Sequence, residues 1–240
     1  MDTSWLSRTQ LLIGEEKLAK LTRSHVMVVG MGGVGSFAAE FICRSGIGKM
    51  TIIDGDVVDP TNRNRQLPAL AINHGVSKAD IMAERLLAIN PELELTVIKQ
   101  FINPEMVDQL LSSNPDYVID AIDSITPKIT FIKMAYEKKL PLVSSMGAGA
   151  KLDPTQLKVT DISKTIICPF AQQIRKMLKK HGIYKGIKVV FSPEEPIKES
   201  LMMTDGSNYK KSAYGTISYL PATFGAVVSS VVIRDLLEKN

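Results

Sequence analysis

A glycine-rich segment of this chain directly follows a short apolar run and limits the folds that the chain can adopt. Gly30, Gly32 and Gly35 form the pattern G-x-G-x-x-G after residues 25–29, and residues 36–45 then have helical spacing. Glycine lets the backbone turn sharply and approach a phosphate, while the start of the next helix supplies amide donors. The segment therefore predicts a strand, a tight turn and a helix that together bind nucleotide phosphates.

A carboxylate stands where such a unit holds the ribose of its nucleotide. Residues 49–53 form a second apolar run, and Asp54 follows that run 19 positions after Gly35. A carboxylate at the end of the second strand can accept hydrogen bonds from both ribose hydroxyls. Together with the glycines, Asp54 predicts a site for an adenine nucleotide.

Helical and strand patterns alternate through the rest of the first 150 residues. This alternation predicts an α/β, Rossmann-like fold, in which a mostly parallel sheet has helices on both faces and right-handed crossovers. The predicted helices are 76–89, 104–111 and 127–138, and the predicted strands are 93–99, 117–122 and 141–145.

The pattern changes after Gly149. Strand patterns at 157–162 and 189–191 flank a basic helix at 169–181, and residues 192–214 are predicted to be a long loop. We expect this final third of the chain to form a layer different from the parallel sheet.

The length of 240 residues fits one domain of ordinary to large size. We predict a single domain, 1–240, with a nucleotide-binding core at 1–150. Residues 151–240 are predicted to form a substrate-binding lobe, a C-terminal extension of strands and helix.

Composition excludes several classes of protein. A chain that is 45% hydrophobic and 22% charged is neither disordered nor a coiled coil. Its only cysteines, Cys43 and Cys168, exclude a disulfide framework and a four-cysteine zinc site and indicate a reducing compartment. Because the N-terminal segment also lacks an apolar run of signal-peptide length, we expect a cytoplasmic protein.

One uncharged stretch, residues 212–233, is long enough to be tested as a membrane span. Gly215, Pro221 and Gly225 interrupt it, and several serine and threonine residues dilute it. We therefore predict a buried C-terminal helix and no stable membrane span.

Two nucleotide chemistries compete for the predicted site. An NAD-dependent dehydrogenase is the commonest use of the glycine pattern. However, Asn62-Arg63-Asn64-Arg65-Gln66 and Lys78 supply cations that would stabilise the charge on a pyrophosphate leaving group when a triphosphate is attacked at its α-phosphorus. The cations favour ATP, with a solvated basic face formed by Arg63, Arg65 and Lys78 as the alternative.

Two carboxylates, Asp120 and Asp123, lie at the end of the predicted strand 117–122. Asp123 is placed at the carboxyl end of the sheet, where α/β proteins bind their ligands, and is predicted to bind Mg²⁺. Alternatively, Asp123 caps the following helix, a role that Ser124 or Thr126 could also take.

In the order and spacing of these motifs, the chain resembles the ThiF and MoeB superfamily of ATP-dependent adenylating enzymes. The motifs that carry the resemblance are Ser7–Gly14, the glycine loop, Asp54, Asn62–Gln66, Lys78, Asn90-Pro91 and Asp120–Asp123.

The resemblance implies a role for each matching residue and a homodimer. Asp54 would bind ribose, Asp123 would bind magnesium, and Arg8 would reach across the dimer interface into the partner's site. The implied catalytic residues are Arg8, Arg65, Lys78 and Asp123. The implied nucleotide-binding residues are Gly30, Gly32, Gly33, Gly35, Asp54, Asp56, Asn62, Arg65, Gln66, Lys78 and Asp123.

Further motifs are similar to the tRNA threonylcarbamoyladenosine dehydratase branch of that superfamily. They are Asp120–Ser124, Pro127-Lys128, Gly147–Gly149, Asp153–Gln156, Asp161-Ile162 and Lys164-Thr165. The similarity implies that ATP and Mg²⁺ activate the threonyl carboxylate of the modified adenosine in tRNA, after which the neighbouring carbamoyl group closes a ring with net loss of water.

Two other functions stay open. One is an adenylyltransferase that activates the C-terminus of a sulfur-carrier or ubiquitin-like protein, although the chain has no CxxC motif. The other is a non-catalytic nucleotide-binding scaffold. A cysteine desulfurase or other sulfur-acceptor system is a further candidate partner. Cys168 departs from the branch's pattern and is interpreted as a small buried side chain.

A net charge of +4 is compatible with an anionic partner and does not require one. The predicted basic helix could contact the phosphate backbone of tRNA, or it could be a solvated helix face. Its basic residues and those that follow are Arg175, Lys176, Lys179, Lys180, His181, Lys185 and Lys188.

Overall fold

The computed structural model describes residues 2–203 and 212–238. The helices of this part are α1 Ser7–Ile13, α2 Glu15–Arg23, α3 Gly35–Arg44, α4 Lys78–Ile89, α5 Pro104–Leu111, α6 Ile125–Glu137, α7 Pro169–Lys180 and α8 Tyr219–Glu238. The strands are β1 His25–Val29, β2 Lys49–Ile53, β3 Glu94–Ile98, β4 Tyr117–Asp120, β5 Leu142–Ser145, β6 Lys158–Asp161, β7 Lys188–Phe191, β8 Leu201–Met203 and β9 Ser212–Tyr214.

Seven strands form one sheet in the order β3-β2-β1-β4-β5-β7-β6, and all are parallel except β6. The predicted α/β, Rossmann-like fold is confirmed. From β1 the chain first adds β2 and β3 on one side of the sheet and then crosses to add β4 on the other side. The strand order therefore reverses between β1 and β4. Open α/β sheets bind their ligands at such a reversal, beyond the carboxyl ends of the strands. We call that side of the sheet the carboxyl edge and the opposite side the amino edge.

The core forms one layer on each face of the sheet. Side chains of a strand point alternately to the two faces, so Val26 and Val28 of β1 join a cluster with helices α3, α4 and α8. Met27 and Val29 of the same strand join a second cluster with α5, α6 and α7. Burial of β1 on both faces explains why four consecutive residues of the strand, 26–29, are apolar.

Local hydrogen bonds set the ends of several helices. Helix α4 begins two residues later than predicted because Ser77 is its N-cap, and the Ser77 hydroxyl accepts from the Asp80 amide at 3.3 Å. It ends before Asn90 and Pro91, as predicted. Helix α6 begins at Ile125 with Ser124 in the N-cap position, so Asp123 is not the cap of this helix.

The prediction of a separate layer for the final third is wrong. Strand β7 pairs in parallel with β5, and β6 pairs antiparallel with β7, so both extend the main sheet. The long loop predicted at 192–214 contains two short paired strands, β8 and β9. Residues 204–211 of that segment lie outside the described residues.

Helix α8 is a core helix, as predicted for the C-terminal segment. Within the described residues it is the helix that is long and apolar enough to cross a membrane, and half of its most apolar stretch is buried in the protein. Gly225 lies against α3 so closely that an added Cβ would be 2.7 Å from the Val34 carbonyl oxygen. Glycine at this position therefore lets the two helices approach each other.

Candidate active site

The glycine loop closes on itself at the carboxyl end of β1. Gly30 has a φ of +93° and donates its amide to the Ile53 carbonyl at 2.8 Å. A Cβ on Gly35 would lie 1.7 Å from the Gly30 carbonyl oxygen, so only glycine fits there. This close turn places the first amides of α3 at the carboxyl edge, where they can donate to phosphate oxygens.

The loop that follows β4 touches the glycine loop. A Cβ on Gly30 would lie 2.8 Å from the Ala121 carbonyl oxygen. The two loops therefore meet at the reversal of strand order, and Asp123 follows Ala121 by two residues. The contact places a metal-binding candidate beside the phosphate-binding turn.

Asp54 is positioned by the backbone on both sides of it. Its Oδ2 accepts from the Met31 amide at 2.6 Å, and its Oδ1 accepts from the Asp56 amide at 2.7 Å. Burial raises the pKa of Asp54, an effect opposed by the charge of Lys78 and by these two amides. Each oxygen keeps a lone pair with which it can accept from a ribose hydroxyl.

Lys78, at the first turn of α4, is 5% exposed and forms an ion pair of 3.0 Å with Asp56. Its amide also donates to the Asp56 carbonyl at 3.1 Å. Asn62 is buried, and its Oδ1 accepts from the Asp59 amide at 3.2 Å in a capping box. Asn62 therefore holds the segment that carries Arg65.

Arg65 and Asp123 approach each other from two different loops. Arg65 donates through Nη1 to the Thr61 carbonyl and to Asn64 Oδ1, both at 2.9 Å. Burial lowers the pKa of Arg65, and the charges of Asp123 and Asp59 oppose that shift. The guanidinium thus lies within the electrostatic reach of Asp123 at the carboxyl edge.

A buried acceptor beside the glycine loop lacks a partner. Gln66 Oε1 is buried and has no hydrogen-bond partner in the part of the chain that the structure describes. The Nε2 atom of the same side chain lies 3.8 Å from the position of a Cβ on Gly32. A buried acceptor without a donor is costly, so this oxygen is suited to a donor on a bound ligand.

Asp120 and Asp123 have different surroundings although only three residues separate them. Asp120 is fully buried and forms an ion pair of 2.8 Å with Lys128, whereas Asp123 is exposed. No group of three or more histidine, cysteine, aspartate or glutamate residues that could hold a metal occurs in residues 2–203 and 212–238. A single exposed carboxylate fits Mg²⁺ bound mainly by nucleotide phosphates and water.

Arg8 is not brought to the carboxyl edge of its own subunit. Leu6, just before α1, lies against Gly46 in the turn that precedes β2 at the amino edge. The amide of Asp2 donates to the side chain of Glu92, which precedes β3 at the same edge. Arg8 itself is exposed on α1.

Neither cysteine has the surroundings of a nucleophile. Cys43 is fully buried, and burial raises its pKa to about 12. Cys168 is 2% exposed, which confirms its interpretation as a small buried side chain.

The basic helix is only partly a basic surface. Arg175 donates to the Thr165 carbonyl at 2.7 Å and so holds α7 against the preceding turn. Lys188 begins β7 and forms an ion pair with Asp235. The exposed cations of this region are Lys176, Lys179, Lys180 and Lys185.

Two side chains that support the site had no predicted role. Lys128 is fully buried behind the loop that carries Asp123. Asn64 donates to the Thr216 carbonyl at 2.8 Å and so joins the nucleotide-binding segment to the C-terminal part of the chain. A buried lysine is detectable in sequence only through its partner, here Asp120 in an otherwise apolar strand.

Comparison with known proteins matches the ThiF family over residues 6–240. The tRNA threonylcarbamoyladenosine dehydratase of Bacillus subtilis (strain 168) is 43% identical over 97% of this chain and 94% of its own length. The enzyme of that name from Escherichia coli (strain K12) is 41% identical over 98% of this chain and 96% of its own.

Solved structures agree with these relatives. The crystal structure of E. coli tRNA N6-threonylcarbamoyladenosine dehydratase, TcdA, in complex with ATP matches with a TM-score of 0.89 at 41% identity, covering 98% of this chain and 94% of that one. E. coli MccB with ATP, at 19% identity and a TM-score of 0.64, covers 99% of this chain and 64% of its own and shares the fold alone.

Proposed function

The chain belongs to the ThiF family, and we propose that it is an ATP-dependent tRNA threonylcarbamoyladenosine dehydratase. A carboxylate oxygen of the threonyl group attacks the α-phosphorus of ATP, and pyrophosphate leaves. The neighbouring carbamoyl group loses a proton and attacks the activated acyl carbon, AMP leaves with the former carboxylate oxygen, and a ring closes. The product has lost one water.

The observation that carries this proposal is the convergence of two loops at the reversal of strand order. One loop supplies Arg65 and the other supplies Asp123, and the glycine loop lies against the second. Such a site can hold a triphosphate and stabilise charge as it develops on the departing pyrophosphate.

Each group at the carboxyl edge then has a part in nucleotide binding. Asp54 accepts from the ribose hydroxyls, and the first amides of α3 donate to phosphate oxygens. Arg65 and Lys78 stabilise the pyrophosphate, with Asp56 orienting Lys78 through their ion pair. Gln66 Oε1 accepts from a donor of the ligand.

Asp123, together with phosphate oxygens and water, would hold Mg²⁺. The ion supplies positive charge beside the phosphates, where negative charge builds up during the reaction. Asp123 is exposed at the carboxyl edge and is therefore accessible to an ion that arrives with the nucleotide.

A homodimer would bring Arg8 to a nucleotide site. The segment before α1 is anchored at the amino edge, whereas the glycine loop lies at the carboxyl edge of the same subunit. Leu11 and Leu12 of α1 are 83% and 84% exposed, and burial of such side chains in an interface would be favourable. Arg8 would then complete the site of the partner subunit.

Residues 151–240 form the substrate side of this single domain, and helix α7 contacts tRNA phosphates. Phe170, at the start of α7, lies near the carboxyl edge, while the helix runs on toward the amino edge. The exposed lysines of α7 would therefore contact phosphates away from the reacting nucleotide. We propose that the protein acts in the cytoplasm, where a reducing environment would keep Cys43 and Cys168 as free thiols. A sulfur-transfer partner stays a prediction.

Mass spectrometry of nucleosides tests the proposed reaction. The full chain is incubated with tRNA that carries threonylcarbamoyladenosine, with and without ATP and Mg²⁺. Loss of one water from that nucleoside, only when ATP is present, is the expected result.

An unchanged nucleoside on verified substrate, with ATP still bound, would reject the dehydratase proposal. ATP-pyrophosphate exchange that depends on a protein ending in Gly-Gly would then identify a carrier adenylyltransferase. ATP binding without either reaction would identify a scaffold.

A further inference from the structure

A fully buried ion pair lies directly behind the loop that carries Asp123. Lys128 of α6 and Asp120 of β4 are both 0% exposed, and Lys128 Nζ lies 2.8 Å from Asp120 Oδ2. Neither side chain can touch a nucleotide or tRNA. If they affect the reaction, they must do so through the residues that they contact.

Both polar groups of the Ile122 backbone are held by this pair. Lys128 Nζ donates to the Ile122 carbonyl at 3.0 Å, and Asp120 Oδ1 accepts from the Ile122 amide at 3.1 Å. The Ser144 hydroxyl of β5 also donates to Asp120 Oδ2, at 2.6 Å. Because Ile122 directly precedes Asp123, the pair fixes the backbone from which the Asp123 side chain projects.

Helix α7 shields this arrangement from water. The Lys128 ammonium lies 5.7 Å from the centre of the Phe170 ring, a distance suited to a cation–π interaction. Phe170 in turn lies against the turn after β5, where a Cβ on Gly147 would be 3.2 Å from Phe170 Cβ. The Lys128 and Asp120 side chains that hold Ile122 are themselves shielded from water, which strengthens the hydrogen bonds that they make.

A buried ion pair is weak evidence for stability, because well-packed apolar residues often replace one without loss. A lysine that donates to the backbone of a functional loop has a different use, since an apolar replacement cannot hold the Ile122 carbonyl. The Lys128 ammonium also lies within the electrostatic reach of the Asp123 carboxylate.

We propose that Lys128 is a positioning residue, which with Asp120 holds the Ile122 backbone so that Asp123 points toward Mg²⁺ bound to the nucleotide. This inference rests on the proposed role of Asp123. It predicts that Lys128 governs the response of nucleotide binding to Mg²⁺, while binding of the nucleotide itself depends on the glycine loop and Asp54.

Calorimetric titration of the full chain with ATP, with and without Mg²⁺, tests this inference. In Lys128→Met we expect the tightening of ATP binding by Mg²⁺ to fall by about tenfold, as for loss of a group that orients a metal ligand. The affinity for ATP without Mg²⁺ should stay unchanged, because the glycine loop and Asp54 are intact.

Lys151→Met is the matched control. Lys151 is 3% exposed and donates to the Ser192 carbonyl at 2.9 Å, so its replacement also removes a buried lysine that holds a backbone carbonyl. We expect this variant to be less stable and to keep the full response to Mg²⁺.

Lys128→Met leaves Asp120 buried without its cation and could fail to fold. The double variant Lys128→Met/Asp120→Asn removes both charges, and its folding is checked by circular dichroism. It should fold and show the same reduction of the Mg²⁺ response, by about tenfold. In an Asp123→Asn background, Lys128→Met should cause no further loss of that response, because both changes act on one group.

Three results would overturn the inference. They are an undiminished Mg²⁺ response in the folded double variant, an equal loss of ATP affinity with and without Mg²⁺, and an additive loss in the Asp123→Asn background. The dehydratase proposal fails separately, by unchanged tRNA in the mass-spectrometric assay. If the protein leaves tRNA unchanged in that assay and Lys128→Met still reduces the Mg²⁺ response, the positioning role is supported and the dehydratase proposal is not.

Discussion

The two edges of the parallel sheet use their polar side chains in opposite ways. At the amino edge these side chains bind each other. The Tyr117 hydroxyl donates to Asp235 at 2.6 Å, and Lys188 forms an ion pair with the same carboxylate. His25 Nε2 lies 2.9 Å from Thr51 Oγ1. Bonds completed within the protein contribute to its stability.

At the carboxyl edge, several side chains are held in place while part of their bonding capacity stays available. Asp54 is oriented by two amides, Asp123 is exposed, and Gln66 Oε1 has no partner within residues 2–203 and 212–238. We therefore expect changes at the carboxyl edge to reduce activity and changes at the amino edge to reduce stability.

The largest effect is expected at Arg65 and Asp123. Arg65→Ala or Asp123→Ala should lower kcat/KM for cyclisation by about 10²–10³-fold, since each removes charge that stabilises the transition state. The midpoint of thermal unfolding should change little. Arg63→Ala is the control, because Arg63 is an exposed arginine two residues away. Equal losses in Arg63→Ala and Arg65→Ala would support a diffuse basic face instead.

Gly35→Ala should be an exception to the difference between the edges, because it should reduce both stability and ATP binding although it lies at the carboxyl edge. The new Cβ would clash with the Gly30 carbonyl, so we expect a loss of about 3 kcal/mol or more in the free energy of unfolding, together with loss of ATP binding. Urea unfolding measures the first and calorimetry the second.

Gly75→Ala is the control for Gly35→Ala. Gly75 has a φ of +81° and open space around its would-be Cβ, so its replacement should cost only about 1 kcal/mol. Similar costs at the two positions would contradict the close turn.

Variants of Arg8 test whether the amino edge of one subunit meets the carboxyl edge of its partner. Arg8→Ala alone should lower turnover by about 10²-fold, as for loss of one electrostatic group. In a random mixture of Arg8→Ala and Asp123→Ala subunits, half of the dimers combine the two variants and have one intact site, so activity should recover to about a quarter. No recovery after verified subunit exchange would place Arg8 outside the partner's site.

Tyr117→Phe should show the behaviour of the amino edge. Removing the hydroxyl that donates to Asp235 should lower the free energy of unfolding by about 1–2 kcal/mol and leave turnover unchanged. Tyr136→Phe, at a tyrosine that is 41% exposed, should have little effect. A large loss of turnover in Tyr117→Phe would contradict the proposed difference in role between the two edges.

The smallest effect is the pH dependence of stability at His25. Burial lowers the pKa of His25 below its ordinary value of 6.5, and the charge of Lys49 lowers it further. The unfolded chain therefore binds the proton more readily, so stability is lost as pH falls from 6.5 through the lowered pKa. Urea unfolding at several pH values should show a smaller loss in His25→Gln than in the original protein.

The first 150 residues were predictable because their signals are local. The glycine loop, the alternation of elements and the turns mark the strands and helices from β1 to β5 within a few residues of their places. Strands β6 and β7 were also predicted along the chain, but their places in the main sheet were not predictable in this way. Both depend on pairing with β5 and with each other, which no local pattern specifies.

The same distinction applies to the site. The sequence placed Arg65, Lys78 and Asp123 near one another, and the structure brings them to the carboxyl edge. Lys128 was named only as part of a family motif, and no role was predicted for it because a lysine in a helix is usually exposed. Its burial follows from Asp120, which lies in an otherwise apolar strand and needs a cation inside the protein.

The packing of α8 on the glycine loop has a consequence for the order of events during synthesis. A Cβ on Gly33 would lie 3.0 Å from Pro221 Cβ, so the loop is supported by a residue that follows it by 188 positions. At roughly 5–20 residues per second, translation needs on the order of ten seconds or more to reach that residue. We therefore expect a nascent chain to acquire nucleotide binding only after α8 has left the ribosome and packed.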